Sequence, residues 1–129
     1  MAGIAYLDSS AFLAMSFHQP EGRDLRRRLR SIHRLIASDL LISEVCSAFQ
    51  REGLPLEPLA RQLAALDIIT TSLTTDILAK VLEVGYARGA DAHHLASAFW
   101  FCSGATENLY FISLDAAQLS SAKKLGFKV

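Results

Sequence analysis

Short apolar runs alternate along the chain with longer stretches in which apolar residues return every three or four positions. "IAYLD" (4–8) is a brief apolar run closed by an acid, which predicts a strand whose last residue reaches the edge of a sheet. Residues 9–17 continue as a helix, with Ser9 or Ser10 as the expected N-cap. Pro20-Glu21-Gly22 is read as a break, followed by a basic amphipathic helix over 23–31 whose apolar side carries Leu25, Leu29 and Ile32. "RLIAS" (34–38) predicts a strand. Ser38-Asp39 then offers a cap for a helix over 40–53, stopped by Gly53 and Pro55. Further helices are expected over 56–67, over 76–89 with Gly89 as the residue that ends it, over 91–102 and over 116–126. Strands are expected at 68–70, at 110–114 with Asp115 directly behind, and at the terminal "FKV".

Short strands alternating with helices predict an α/β fold: a three-layer α/β/α domain with a short-stranded, mainly parallel central sheet flanked by helices. No repeat, low-complexity tract or linker divides the chain, so residues 1–129 are read as a single domain. Composition changes this picture little. About half the residues (51%) are apolar, enough for one sizeable core. Thirteen basic and thirteen acidic residues cancel, so any affinity for nucleic acid must come from local clustering. Cys46 and Cys102 lie in apolar helical segments and form no CxxC pair, which points to reduced, buried thiols and a cytoplasmic setting. The first residues lack a basic segment followed by a long apolar one, so no signal peptide is expected there, and no apolar run suits a membrane span.

Four acids stand where an α/β domain gathers its ligands, beyond the carboxyl ends of the strands. Asp8 closes the first strand and Asp115 follows the late one, while Asp91 opens a helix and Glu44 sits within an apolar one. Each acid alone has a structural reading. Asp91 and Asp115 suit N-caps, and Asp8 could accept from the next helix N-terminus. Glu44, among Leu41, Val45, Ala48 and Phe49, needs a partner of some kind. Together the four would repel one another unless cations were present, and Mg²⁺ or Mn²⁺ prefer such oxygen donors.

With these residues in view, the sequence resembles the PIN-domain ribonucleases, and in size and layout the VapC toxins of bacterial and archaeal toxin–antitoxin pairs. The motifs are "YLDSSAFL" (6–13), "SEVCSAFQRE" (43–52), "ADAHHLASA" (90–98) and "FISLDAAQLSSAKKLGFKV" (111–129), in the family's order and across nearly the whole chain. The resemblance implies that Asp8, Glu44 and Asp91 are the core acids and that Asp115 is a more variable fourth. It implies supporting roles for Ser9 and Ser113 as hydroxyls beside the metal, for Arg51 as a basic residue after the glutamate, and for His94 three residues after the third acid. The implied activity is Mg²⁺- or Mn²⁺-dependent endoribonuclease cleavage of RNA, leaving a 5′-phosphate and a 3′-hydroxyl and needing no nucleophilic side chain. The implied partners are an RNA substrate, a cognate antitoxin and a second copy in a homodimer.

Arg23, Arg26, Arg27, Arg30 and Arg34 fall at i, i+3, i+4, i+7 and i+11, one helical face that could meet RNA phosphates, meet an acidic antitoxin segment, or simply be solvated. Lys123, Lys124 and Lys128 form a weaker basic group. Trp100 is assigned to core or dimer packing, since an ideal helix places it opposite Asp91. The adjacent His93 and His94 would point about 100° apart and could not readily grip one ion, so Asp91 is taken as the ligand and His94 as a buried, hydrogen-bonded neighbour. Two other readings remain: a catalytically silent PIN-like module for RNA binding or assembly, and a receiver-like signalling domain. The second is disfavoured because Asp115 stands where a lysine would be needed.

Overall fold

Four short strands carry the sheet, and their side chains explain why it needs a layer on each side. In the computed structural model, which describes residues 3–129, β1 (Ile4–Leu7), β2 (Arg34–Ser38), β3 (Asp67–Ile69) and β4 (Tyr110–Ile112) are all parallel, in the order β3-β2-β1-β4. Met1 and Ala2, part of the expected single domain, lie outside the described residues. Along β1, Ala5 and Leu7 enter one apolar cluster while Tyr6 enters the other, the period-two alternation of a strand buried on both faces. The first cluster is closed by α1 (Ser9–Ser16), α2 (Pro20–Leu29), α3 (Leu40–Arg51) and α4 (Glu57–Leu63). The second is closed by α5 (Thr75–Leu82), α6 (Gly89–Phe101) and α7 (Ala116–Lys124). The expected three-layer, mainly parallel architecture is therefore found.

Several expected boundaries are corrected. Asp8, not Ser9 or Ser10, is the N-cap of α1: its side chain accepts from the Ala11 amide. Pro20-Glu21-Gly22 does not break the chain but begins α2, with Pro20 at the first helical position, where its missing N–H costs nothing. The two helices cross so closely there that a Cβ on Gly22 would lie 2.1 Å from the Ala14 carbonyl oxygen. Gly22→Ala is expected to cost about 1–3 kcal/mol, read as a lowered midpoint of chemical unfolding.

The helix after β3 stops at Leu82 rather than at Gly89, which instead opens α6 behind Arg88. Asp91 is therefore in the first turn of α6 and is not its cap. Helix α4 is shorter than its apolar pattern predicts, and "FKV" contributes only a single bridge from Lys128 to Tyr110. Arg34 lies on β2, beside Asp67 and with its guanidinium 5.5 Å from the centre of the Phe101 ring, so it leaves the basic helical face. Within that face, Arg26 donates to the Met15 carbonyl at 3.1 Å and Arg27 pairs with Asp24, while Arg23 and Arg30 remain exposed. Trp100 is not a core residue: it is 37% exposed at the far end of α6. Cys46 and Cys102 are free and half-buried. Among the described residues no helix is long and apolar enough to cross a membrane.

Candidate active site

The chain winds from β1 outward to β2 and β3, then returns to lay β4 on the other side of β1. The carboxyl ends of β1 and β4 thus flank the point where the winding direction reverses, which is where open α/β sheets leave a crevice. Asp8 stands directly after β1 and Asp115 three residues after β4. Helices α3 and α6, from opposite layers, meet over the same edge through Glu44 and His94.

Asp8 is 4% exposed and firmly held. Its Oδ1 accepts from Ser10 Oγ at 2.7 Å and from the Ala11 amide at 3.2 Å, which leaves Oδ2 for another partner. Ser10 is a double clamp, because its Oγ also accepts the Leu114 amide at 3.0 Å and so ties the end of β4 to the acid of β1. Sequence reasoning gave Ser10 hydrogen bonding and capping in general, without naming these partners. The one available signal was its position two residues after an acid at a strand end, a spacing that suits an oxygen-to-hydroxyl bond.

Glu44 is fixed through one oxygen. His94 Nε2 donates to Oε1 at 2.6 Å and Ser9 Oγ donates to the same atom at 2.5 Å. On the other side of the imidazole, the Tyr6 hydroxyl donates to Nδ1 at 2.7 Å. The proton positions follow from this network: a buried phenol whose ionisation is pushed far above its usual range by desolvation, against the smaller pull of Ser38 and Ser97, remains a donor. Burial alone would raise the Glu44 carboxyl. The His94 and Ser9 hydrogen bonds and the nearby imidazoles outweigh it, so the net shift is downward from 4.5. A carboxyl with a lowered native value stabilises the fold where it is ionised. That contribution is complete above pH 4.5 and disappears as pH falls through the lowered native value. Melting temperatures of wild type and Glu44→Gln are accordingly expected to converge as pH drops through that acid range.

Asp91 moves the other way. Desolvation raises its carboxyl, and the charges of Asp115, Asp8 and Glu44 raise it further, with His94 opposing. Asp91 therefore feels the charge of three acids that come from other elements of the chain. Asp115 is exposed and caps α7 by accepting the Gln118 amide, while its own amide donates to Ser113 Oγ. Gln118, buried and overlooked in the sequence, donates from Nε2 to the Asp91 carbonyl at 2.9 Å and joins the two helix starts. Its signal was a polar residue one turn after a cap, which reads equally well as surface. Ser113 is buried beside Ser10, with 3.3 Å between their oxygens. Arg51 is not brought to this group: it lies two turns beyond Glu44, exposed and paired with Glu52. The His93 and His94 rings stand at 89° with centres 6.4 Å apart, so they do not converge on one point.

The donor chemistry suits a hard divalent cation, since oxygen ligands from carboxylates are what Mg²⁺ and Mn²⁺ prefer and a cation would relieve the repulsion that raises Asp91. Among the described residues, no three His, Cys, Asp or Glu side chains stand close enough to form a ready-made metal centre. Asp8, Glu44 and Asp91, with Asp115 at the rim, are the groups available to such an ion. A cleft of about 340 Å³ opens beside them and is lined in part by Asp91 and Asp115. Wider apolar grooves elsewhere, of about 700 and 460 Å³, hold no acid.

The chain belongs to the PIN-domain family: residues 5–129 match the PIN domain. The chain is also 38% identical over 99 residues to Ribonuclease VapC46 of Mycobacterium tuberculosis, a match covering 76% of this chain and 75% of that protein. The receiver-like reading is thereby set aside.

Proposed function

We propose that the protein is a divalent-metal-dependent endoribonuclease and the toxin of a toxin–antitoxin pair, acting on cytoplasmic RNA as a homodimer. The observation that carries this reading is the gathering of Asp8, Asp115 and Glu44 close enough for their charges to act on Asp91, at the reversal point of the sheet. The similarity to a protein named as a ribonuclease supports the same activity. Mg²⁺ or Mn²⁺ would be held by Asp8, Glu44 and Asp91, with Asp115 contributing from the rim. When bound, the ion supplies Lewis acidity, making water more acidic and stabilising charge on a phosphodiester.

The chain's own residues prepare the site for that chemistry. Ser10 and the Ala11 amide hold Asp8 by one oxygen. Tyr6, through His94, and Ser9 fix Glu44 by one oxygen and keep it ionised. Gln118 sets the spacing of Asp91 from Asp115. No serine is placed as a nucleophile, because Ser9 and Ser10 both spend their protons on carboxylates.

The wild-type chain is expected to cleave single-stranded RNA with Mg²⁺ or Mn²⁺ and to lose that activity on chelation, with recovery when either ion is restored. A silent PIN-like module is the second reading, favoured by the lack of a ready-made three-ligand cluster among the described residues. RNA left intact at every metal concentration would decide for it.

A further inference from the structure

We propose that the cleft beside the acids is a subsite for one nucleotide of single-stranded RNA flanking the bond to be cut, with its base stacked on Tyr86 and its phosphate held by Arg88. The inference rests on the ribonuclease reading, and it adds residues that neither the motif resemblance nor the acid geometry includes.

The link between α5 and α6 carries the argument. It turns at Gly85, whose φ of 153° is backbone that side chains rarely adopt, and then presents Tyr86 and Arg88 on the wall of the 340 Å³ cleft. Tyr86 is 90% exposed, whereas the next most exposed large apolar residue, Leu56, is 49% exposed. An aromatic ring left this bare forgoes the burial that an aromatic normally gains. Its face suits an unstacked base, which is how single-stranded RNA is commonly recognised.

Arg88 shares the cleft with Asp91 and Asp115. Even so, it makes no ion pair within 4.0 Å among the described residues, unlike Arg27, Arg34 and Arg51. Its guanidinium is thus available to an anion from outside. Gln118, 4% exposed, also lines the cleft; its Nε2 is held by the Asp91 carbonyl, so that the acceptor Oε1 is the half of the amide not tied by that bond. One cleft thus combines two acids, a cation without an ion pair and a bare ring, a set that suits a nucleotide. The acids would repel a flanking phosphate, Arg88 would attract it, and the uncharged base would stack on Tyr86. The volume is in the range of small-ligand pockets and is too confined for a duplex read by its shape.

The test uses fluorescein-labelled single-stranded RNA and full-length protein carrying Asp8→Asn, so that binding is read without cleavage. Tyr86→Ala is expected to weaken binding by about 5- to 150-fold, with Tyr86→Phe retaining most of the affinity. Arg88→Ala is expected to reduce the slope of log affinity against log salt by about 0.7, while Arg61→Ala on α4 leaves it unchanged. In the cleaving protein, Tyr86→Ala and Arg88→Ala should raise KM with little change in kcat. Both side chains are exposed, so a folding defect is not expected to intervene. Unchanged affinity and salt slope in the Tyr86 and Arg88 variants overturn the proposal, as does equal weakening by Tyr86→Phe and Tyr86→Ala. A wild-type protein that fails to cleave overturns the ribonuclease reading instead, and the binding measurements still decide the subsite.

Discussion

Asp8→Asn is expected to lower the rate of RNA cleavage by on the order of a thousandfold or more, at least about 4 kcal/mol of transition-state stabilisation, while the protein remains folded. Asparagine keeps what the fold asks of Asp8. Both structural bonds at this position are donated to Oδ1, from Ser10 Oγ and from the Ala11 amide, and an amide oxygen accepts them equally well. Asparagine is also among the best N-caps, so the start of α1 is preserved. What is removed is a negative charge, 4% exposed, at the reversal point of the sheet. The loss of that charge weakens the attraction for a divalent ion and relaxes the repulsion felt by Asp91, to which Asp8 contributes. Two readouts therefore accompany the lost activity: an unchanged circular dichroism spectrum and a higher metal concentration for half-maximal binding. Cleavage by Asp8→Asn at the wild-type rate would remove Asp8 from the chemistry and, with it, the proposed function.

The parts of the fold that could be read from the sequence are those with a local cause. A parallel strand buried on both faces must be a short apolar run, and "IAYLD" shows such a run ending in a polar residue at the sheet edge. The alternation of strands and helices follows from the same pattern. Helix starts were harder. Pro20-Glu21-Gly22 has the composition of a breaker, yet proline suits the first helical turn, and Gly22 is required by the crossing with α1, which is a tertiary contact. Gly89 misled for the opposite reason: glycine often ends a helix, but the chain had already left α5 at Leu82. Strand order has no local signal at all, and the reversal that sets β4 beside β1 is what places Asp8 near Asp115. Asp8, Asp91 and Asp115 could be chosen one by one as residues at element ends, and Glu44 as an acid within an apolar helix. The effect of the other acids on Asp91 is a tertiary one, and the Ser10 and Gln118 clamps join residues about 100 and 27 positions apart in the chain.

His94→Ala is expected to destabilise the fold by about 3–5 kcal/mol, a drop in melting temperature on the order of 10–20 °C for a chain of this size. His94 is 2% exposed, with Tyr6 at 0% on one side and Glu44 on the other. Truncation opens a cavity between β1, α3 and α6. It also strands the Tyr6 hydroxyl, whose remaining neighbours Ser38 Oγ and Ser97 Oγ are themselves buried without a bond of ordinary geometry. Glu44 loses one of the two donors that keep it ionised, so the carboxyl also drifts upward toward its ordinary range. His94→Leu separates the two costs, because it refills the space without restoring the bonds. A cycle with Tyr6→Phe then isolates the polar pairing. In wild type, Tyr6→Phe should cost about 1 kcal/mol by leaving Nδ1 without its donor. In the His94→Leu background the same change should be neutral or stabilising, because the hydroxyl it removes no longer has the imidazole as acceptor. An equal cost of Tyr6→Phe in both backgrounds would show that the Tyr6–His94 bond contributes nothing, and the orientation of Glu44 would then rest on His94 and Ser9 without help from Tyr6.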